Sequence, residues 1–171
     1  MTPPWFLPLR DYVGTSPVIE DFPDDHPSFV AAQAQLRELS TRVETLKEIP
    51  LPQYPGVEAR VTRSSCVLLD RRSRQILGGK TTTLIYIEKD HRGRGLGAEL
   101  HILIDLHLRA DLIFLYTRQG IAARIGAHRR HVERALLAGQ GVPDEVLADY
   151  CEKEGRLVLR QDFPIKIRSY A

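Results

Sequence analysis

The stretch IYIEKDHRGRGLGAEL, Ile85 to Leu100, passes from an apolar β-branched segment, through a basic loop with glycines at 93, 95 and 97, into leucine-rich chain. That order reads as strand, loop and helix. Glycines remove the Cβ atoms that would block close approach, successive loop N–H groups can point inward, and a helix start adds about half a positive charge. Such a loop suits an anion, a pyrophosphate above all, and Arg92 and Arg94 add charge to it. The plain alternative is a basic glycine turn that only reverses the chain.

Two other phosphate motifs do not fit. A dinucleotide fingerprint needs GxGxxG, whereas these glycines run GxGxG, and no βαβ unit with an acidic residue about 20 positions on is evident. GGKT, Gly78 to Thr81, has the ending of a P-loop, but that motif needs a glycine where Arg74 stands. It also needs a helix where TTTLIYI continues as strand.

IYIEKDHRGRGLGAEL resembles the acetyl-CoA signature of the GNAT superfamily of N-acetyltransferases. There a strand ends in an apolar-x-apolar pattern, and Arg/Gln-x-x-Gly-x-Gly/Ala follows a few residues later. Arg92, Gly95 and Gly97 fill that motif, Gly93 and Arg94 are its common fillers, and Ile85, Tyr86 and Ile87 end the preceding strand. The likeness is close over residues 85–100 and loose over 57–139. It implies an α/β (α+β) fold, with a mixed, largely antiparallel sheet flanked by helices and a remodelled N-terminal region. It also implies that backbone N–H groups of Arg92, Gly93, Arg94, Gly95, Leu96, Gly97 and Ala98 hold the pyrophosphate of coenzyme A. The edge of Ile85–Ile87 would then pair with the pantetheine arm, whose amides are peptide-like partners for an unpaired strand edge.

Acetyl transfer to an amine needs a base, a polarised carbonyl and a proton for the departing thiolate. The strand edge can supply the second. Family members carry a base on the central strand, but KTTTLIY has no carboxylate or imidazole, which leaves Glu88 at the strand end as the nearest candidate. The family's thiolate-protonating tyrosine would fall at Gly126, within AARIGAH, so Tyr116 is the substitute and Tyr150 a further one. The implied function is acetyl-CoA-dependent N-acyl transfer, directly to an amine of a small molecule or protein. A non-catalytic acyl-CoA-binding or interaction domain of the same fold is the alternative.

Outward from the loop, residues 1–27 are rich in proline and acidic groups and read as an arm over the domain surface, anchored by Trp5 and Phe6. Residues 28–171 read as a single domain. Phe29, Leu36, Leu39, Val43 and Leu46 recur at helical spacing and predict a helix over 28–47. VEARVTRSSCVLLD and QILGGKTTTLIYIEK predict an antiparallel meander whose last strand runs over 82–88. LHILIDLHLR fits strict alternation as well as a helical face, and the glycine loop favours the helix. Residues 112–117 read as strand. GIAARIGAHRRHVERALLAG and PDEVLADYCEKE read as helices, the second ended by Gly155, and RLVLRQDFPIKIRSY closes with one or two strands.

A chain of 171 residues, 43% hydrophobic and 27% charged, is that of a soluble globule, and a net charge of +2 carries no whole-molecule attraction to nucleic acid or membrane. Cys66 and Cys151 form no CxxC or Cys/His cluster and suit a reducing cytoplasm. Prolines interrupt MTPPWFLPLRDYVG where a signal peptide needs a continuous apolar stretch, and no run approaches ~18 apolar residues, so neither signal peptide nor span is expected. His128 and His131 lack a third ligand and an HExxH glutamate and read as a solvated face or one satisfied buried histidine; His101, Asp105 and His107 read the same way, and no metal is expected. The arginines at 118, 124, 129, 130 and 134 read chiefly as a solvated helix face, so nucleic acid is not favoured as a partner. A homodimer stays open.

Overall fold

A computed structural model of the protein describes residues 2–15, 17–108 and 116–160. The chain falls into two compact units: one is Phe22–Leu112, the other Met1–Asp21 with Ile113–Ala171. In chain order the elements are α1 (Leu9–Val13), β1 (Val18–Ile19), α2 (Pro27–Thr41), β2 (Lys47–Ile49), β3 (Val57–Val61), β4 (Cys66–Asp70), β5 (Ile76–Lys80), β6 (Ile85–Ile87), α3 (Leu96–His107), β7 (Tyr116–Thr117), α4 (Arg118–Leu137), α5 (Asp144–Leu147), β8 (Tyr150–Lys153) and β9 (Arg156–Leu159). The fold is mixed α/β.

In the unit Phe22–Leu112, β2 to β6 form an antiparallel meander in sequence order. Side-chain alternation sends Ala59, Val61, Cys66, Leu68 and Leu77 to one face, against Leu96, Leu100 and Leu103 of α3. Val67, Leu69 and Tyr86 go to the other, against Ala32, Leu36 and Leu39 of α2. A sheet covered on both faces explains why CVLL, residues 66–69, is apolar without interruption. Each leucine fully buried in these layers contributes about 2 kcal/mol.

The helix expected over 28–47 ends at Thr41. Its start is sharp: Pro27 takes the first position and His26 Nδ1 accepts the Ser28 N–H at 3.2 Å. Its end follows from Ser40 and Thr41, whose hydroxyls bond back to the carbonyls of Arg37 and Glu38, both at 2.7 Å. Val43 then stays buried in a 3₁₀ turn, and Lys47–Ile49 becomes an edge strand on β3. The strand expected over 82–88 is shorter, Ile85–Ile87, because the Thr81 hydroxyl accepts the N–H groups of Thr83 and Leu84 and makes a turn there. Residues 96–107 are helical as read, and their two competing periodicities have a cause. Buried positions run without a break from Ala98 to Ile104, so no polar stripe marks the helical period.

The second unit is built on α4, whose N-cap Thr117 accepts the Gly120 N–H at 3.0 Å. Val18–Ile19 pairs in parallel with Tyr116–Thr117, while 109–115 lie outside the described residues. Val132, Val146 and Tyr150 form its small core, with Trp5 packed against them. The segment 1–27, read as an arm over the surface, thus carries a helix and a strand and buries Leu9, Tyr12, Val13, Val18 and Ile19. Phe6 is 44% exposed and is not an anchor. The helix expected over 143–154 stops at Leu147. Tyr150–Lys153 instead pairs with Arg156–Leu159 across Glu154 and Gly155, both at positive φ, so Gly155 belongs to a hairpin turn and not to a helix end. Of the closing segment, residues 161–171 lie outside the described residues. Among the described residues no helix is long and apolar enough to cross a membrane.

Candidate functional site

The strand, loop and helix of residues 85–98 all belong to the unit Phe22–Leu112. β6 is the last strand of the sheet, bonded to β5 on one side, and among the described residues no strand lies along its other edge. The Glu88 N–H donates to the Leu77 carbonyl at 3.0 Å and the Thr81 N–H to that of Leu84 at 2.9 Å, with Gly79 opposite Tyr86 between them. Bonded pairs in an antiparallel ladder alternate with pairs whose polar groups face away. Ile85 and Ile87 therefore turn their N–H and C=O groups outward from β5.

Beyond β6 the chain makes a 3₁₀ turn, Lys89–His91. Gly93 and Gly95 follow at φ +74° and +79°, and Gly95 is the N-cap of α3. A side chain at the left-handed Gly95 would be strained, and without one the cap offers the helix start no acceptor. Glu99 is the first helical residue whose N–H reaches back to an acceptor, the Gly95 carbonyl at 3.2 Å. The N–H groups of Leu96, Gly97 and Ala98 thus stand at the positive end of a twelve-residue helix with no intrahelical partner. Three tethers hold this geometry. Tyr54 Oη donates to the Arg94 carbonyl at 3.0 Å, Arg92 Nε to the Ile87 carbonyl at 3.1 Å, and the Arg92 N–H to the Lys89 carbonyl at 3.2 Å. The Arg92 N–H, expected in the cradle, is spent on the preceding turn.

The Arg92 side chain is engaged as well. Its Nη1 lies 2.7 Å from Asp24 Oδ1, and its guanidinium stands 5.9 Å over the Phe29 ring. Lys89 Nζ lies 3.0 Å from the other Asp24 oxygen. Arg94 is exposed.

Glu88 is half-buried at the end of β6. Its Oε2 accepts from Tyr86 Oη at 3.1 Å, and Gln33 Nε2 donates to that same phenol oxygen at 2.7 Å. Burial, aided by the Glu88 charge and opposed by Gln33, pushes the Tyr86 phenol up. Glu88 thus has a fixed direction and keeps access to solvent, which suits a proton acceptor. Tyr116 belongs to the other unit, in β7, and is 5% exposed. Tyr150 is buried and spends its hydroxyl on His128 Nδ1 at 2.5 Å, while His128 Nε2 donates to the Leu7 carbonyl at 2.8 Å. His128 and His131 are both buried, and among the described residues no three His, Cys, Asp or Glu side chains gather as a ligand set. Of the arginine run, Arg118 pairs with Glu20 at 3.0 Å and Arg124 stacks 3.7 Å from the Tyr12 ring centre.

Asp24, Gln33 and Tyr54 escape a reading of the sequence because they reach the site from 68, 53 and 40 residues away. No local pattern marks them. No protein-family model matches the chain, no curated protein matches its sequence, and no solved structure matches its fold.

Proposed function

We propose that the protein binds acetyl-CoA along residues 85–98 and transfers its acetyl group to an amine of a small molecule or protein. One observation carries this reading: the outward peptide groups of Ile85 and the outward N–H of Ile87, whose carbonyl Arg92 already holds, precede the N–H groups of Leu96, Gly97 and Ala98 in one strand, loop and helix. An amide-rich chain ending in a pyrophosphate needs that succession, pseudo-strand pairing followed by an anion cradle. A free phosphate would need only the second half.

The cosubstrate supplies an acyl group activated as a thioester. An outward N–H of the strand edge polarises the thioester carbonyl, and Glu88 takes the proton of the attacking amine. A C–N bond forms, the C–S bond breaks, and the thiolate leaves to take up a proton.

A binding domain without turnover is the second reading, favoured by the burial of both tyrosines considered for that last step. Gly126 stands at the family's position, and Tyr116 and Tyr150 are both buried. Calorimetry with acetyl-CoA, together with thiol release in the presence of an amine panel, separates the two. Amine-dependent release is expected. Binding without release supports the second reading, and no binding at high micromolar concentration rejects both.

A further inference from the structure

Asp24 is an anion already seated beside the proposed anion loop. It accepts from Arg92 Nη1 at 2.7 Å through one oxygen and from Lys89 Nζ at 3.0 Å through the other. Both cations flank the loop, one on the turn that enters it and the other at its first motif position. Arg92 has little freedom to serve a second anion, because its Nε is committed to the Ile87 carbonyl at 3.1 Å and its side chain is only 26% exposed.

The carboxylate is placed by structure, not by chance contact of two long side chains. The His26 N–H donates to the Pro23 carbonyl at 3.0 Å, closing a turn around Asp24. Phe22 stacks on His26 at 4.1 Å and meets the Phe29 ring edge-on at 5.8 Å, and His26 caps α2. The Phe29 ring in turn lies under the Arg92 guanidinium. Residues 22–29 therefore form a strap that holds one negative charge against the loop's cationic side. Lys89 first, then Arg92, keep the Asp24 carboxyl below the usual carboxylate range, so the charge is present at neutral pH.

We infer that Asp24 is a built-in competitor of the ligand's phosphates: the strap occupies Arg92 and Lys89 when the loop is empty and yields them when a pyrophosphate binds. This rests on the reading of residues 85–98 as a coenzyme A site. Its consequence is that ligand affinity is set partly by the strap, so anything that shifts residues 22–26 tunes the loop.

The test is calorimetric titration of coenzyme A into the full chain and into Asp24→Asn and Asp25→Asn. The two variants change net charge alike, but only the first removes the competing anion. Asp24 is 44% exposed, and thermal melts of both variants check that the fold survives. Asp24→Asn should bind about fivefold more tightly than the parent, the scale of a relieved surface ion pair, with Asp25→Asn within twofold. Equal or weaker binding by Asp24→Asn overturns the competitor while leaving the loop reading intact, as does an equal gain in both variants. Absence of binding in all three proteins overturns the loop reading itself, and the competitor with it.

Discussion

The Leu36 side chain of α2 lies over Gly79 of β5, in the space that a Cβ there would need, and the Cys66 carbonyl oxygen closes the same space from β4. The absence of a side chain at Gly79 is what lets the helix settle on the sheet. Gly79→Ala should destabilise the protein by about 1–3 kcal/mol, the scale of overpacking a tight core. A thermal melt unchanged from the parent would show that α2 does not sit on β5 as described.

Glu58 is 3% exposed and is clasped by Arg60, 2.5 Å away, and by Arg74. Burial works to raise its pKa, but the two guanidinium groups outweigh it and hold the carboxyl below its ordinary value. A lowered carboxylate stabilises the fold above its unfolded pKa, and that stabilisation is lost as pH falls through the folded value. Glu58→Gln should therefore cost about 2 kcal/mol at pH 7, less than a fully buried pair because Arg60 keeps Glu48 at 3.2 Å. Below pH 4 the difference from the parent should shrink. Denaturant melts at both pH values measure this.

His128 has the opposite chemistry and the same direction of pH effect. Burial pushes its imidazole down to about 4, and it is neutral, with Nε2–H donating to Leu7 and Nδ1 accepting from Tyr150. Between about pH 6.5 and 4 the unfolded chain binds a proton that the folded chain refuses, so stability falls as pH falls across that window, at up to roughly 1.4 kcal/mol per unit. His128→Gln should flatten the slope of stability between pH 6.5 and 4. Parallel slopes for parent and variant would remove His128 as the cause.

Gly95 has φ +79° and ψ 5°, a region that aspartate and asparagine enter more readily than other residues with side chains. Gly95→Asp should thus fold at a cost of about 1 kcal/mol while placing a carboxylate at the loop. Coenzyme A affinity should fall more than tenfold in Gly95→Asp and less in Gly95→Asn, which has the same backbone demand without the charge. Equal losses in the two variants would mean that shape, not charge, governs the loop.

What the sequence made legible was local. The glycine loop, the meander and the helix after the loop follow from residues within a few positions of one another. The helix expected over 28–47 ends at Thr41 although its apolar spacing continues through Val43 and Leu46, because strand pairing with β3 claims Lys47–Ile49. Gly155 stops a helix or turns a hairpin equally well, and only the partner strand decides. The proposed site shows the same division. Its backbone could be read from residues 85–98, but the side chains that hold it, Asp24, Gln33 and Tyr54, come from elements that only the tertiary fold brings near.

If one strand edge and one helix start bind one ligand, amide chemical shifts report both at once. With coenzyme A added to isotopically labelled protein, the N–H signals of Ile85, Ile87, Leu96, Gly97 and Ala98 should move together along a single saturating curve. Shifts confined to Leu96–Ala98 would describe a phosphate site without a pantetheine track, and no shift at either segment would mean that coenzyme A does not bind along residues 85–98.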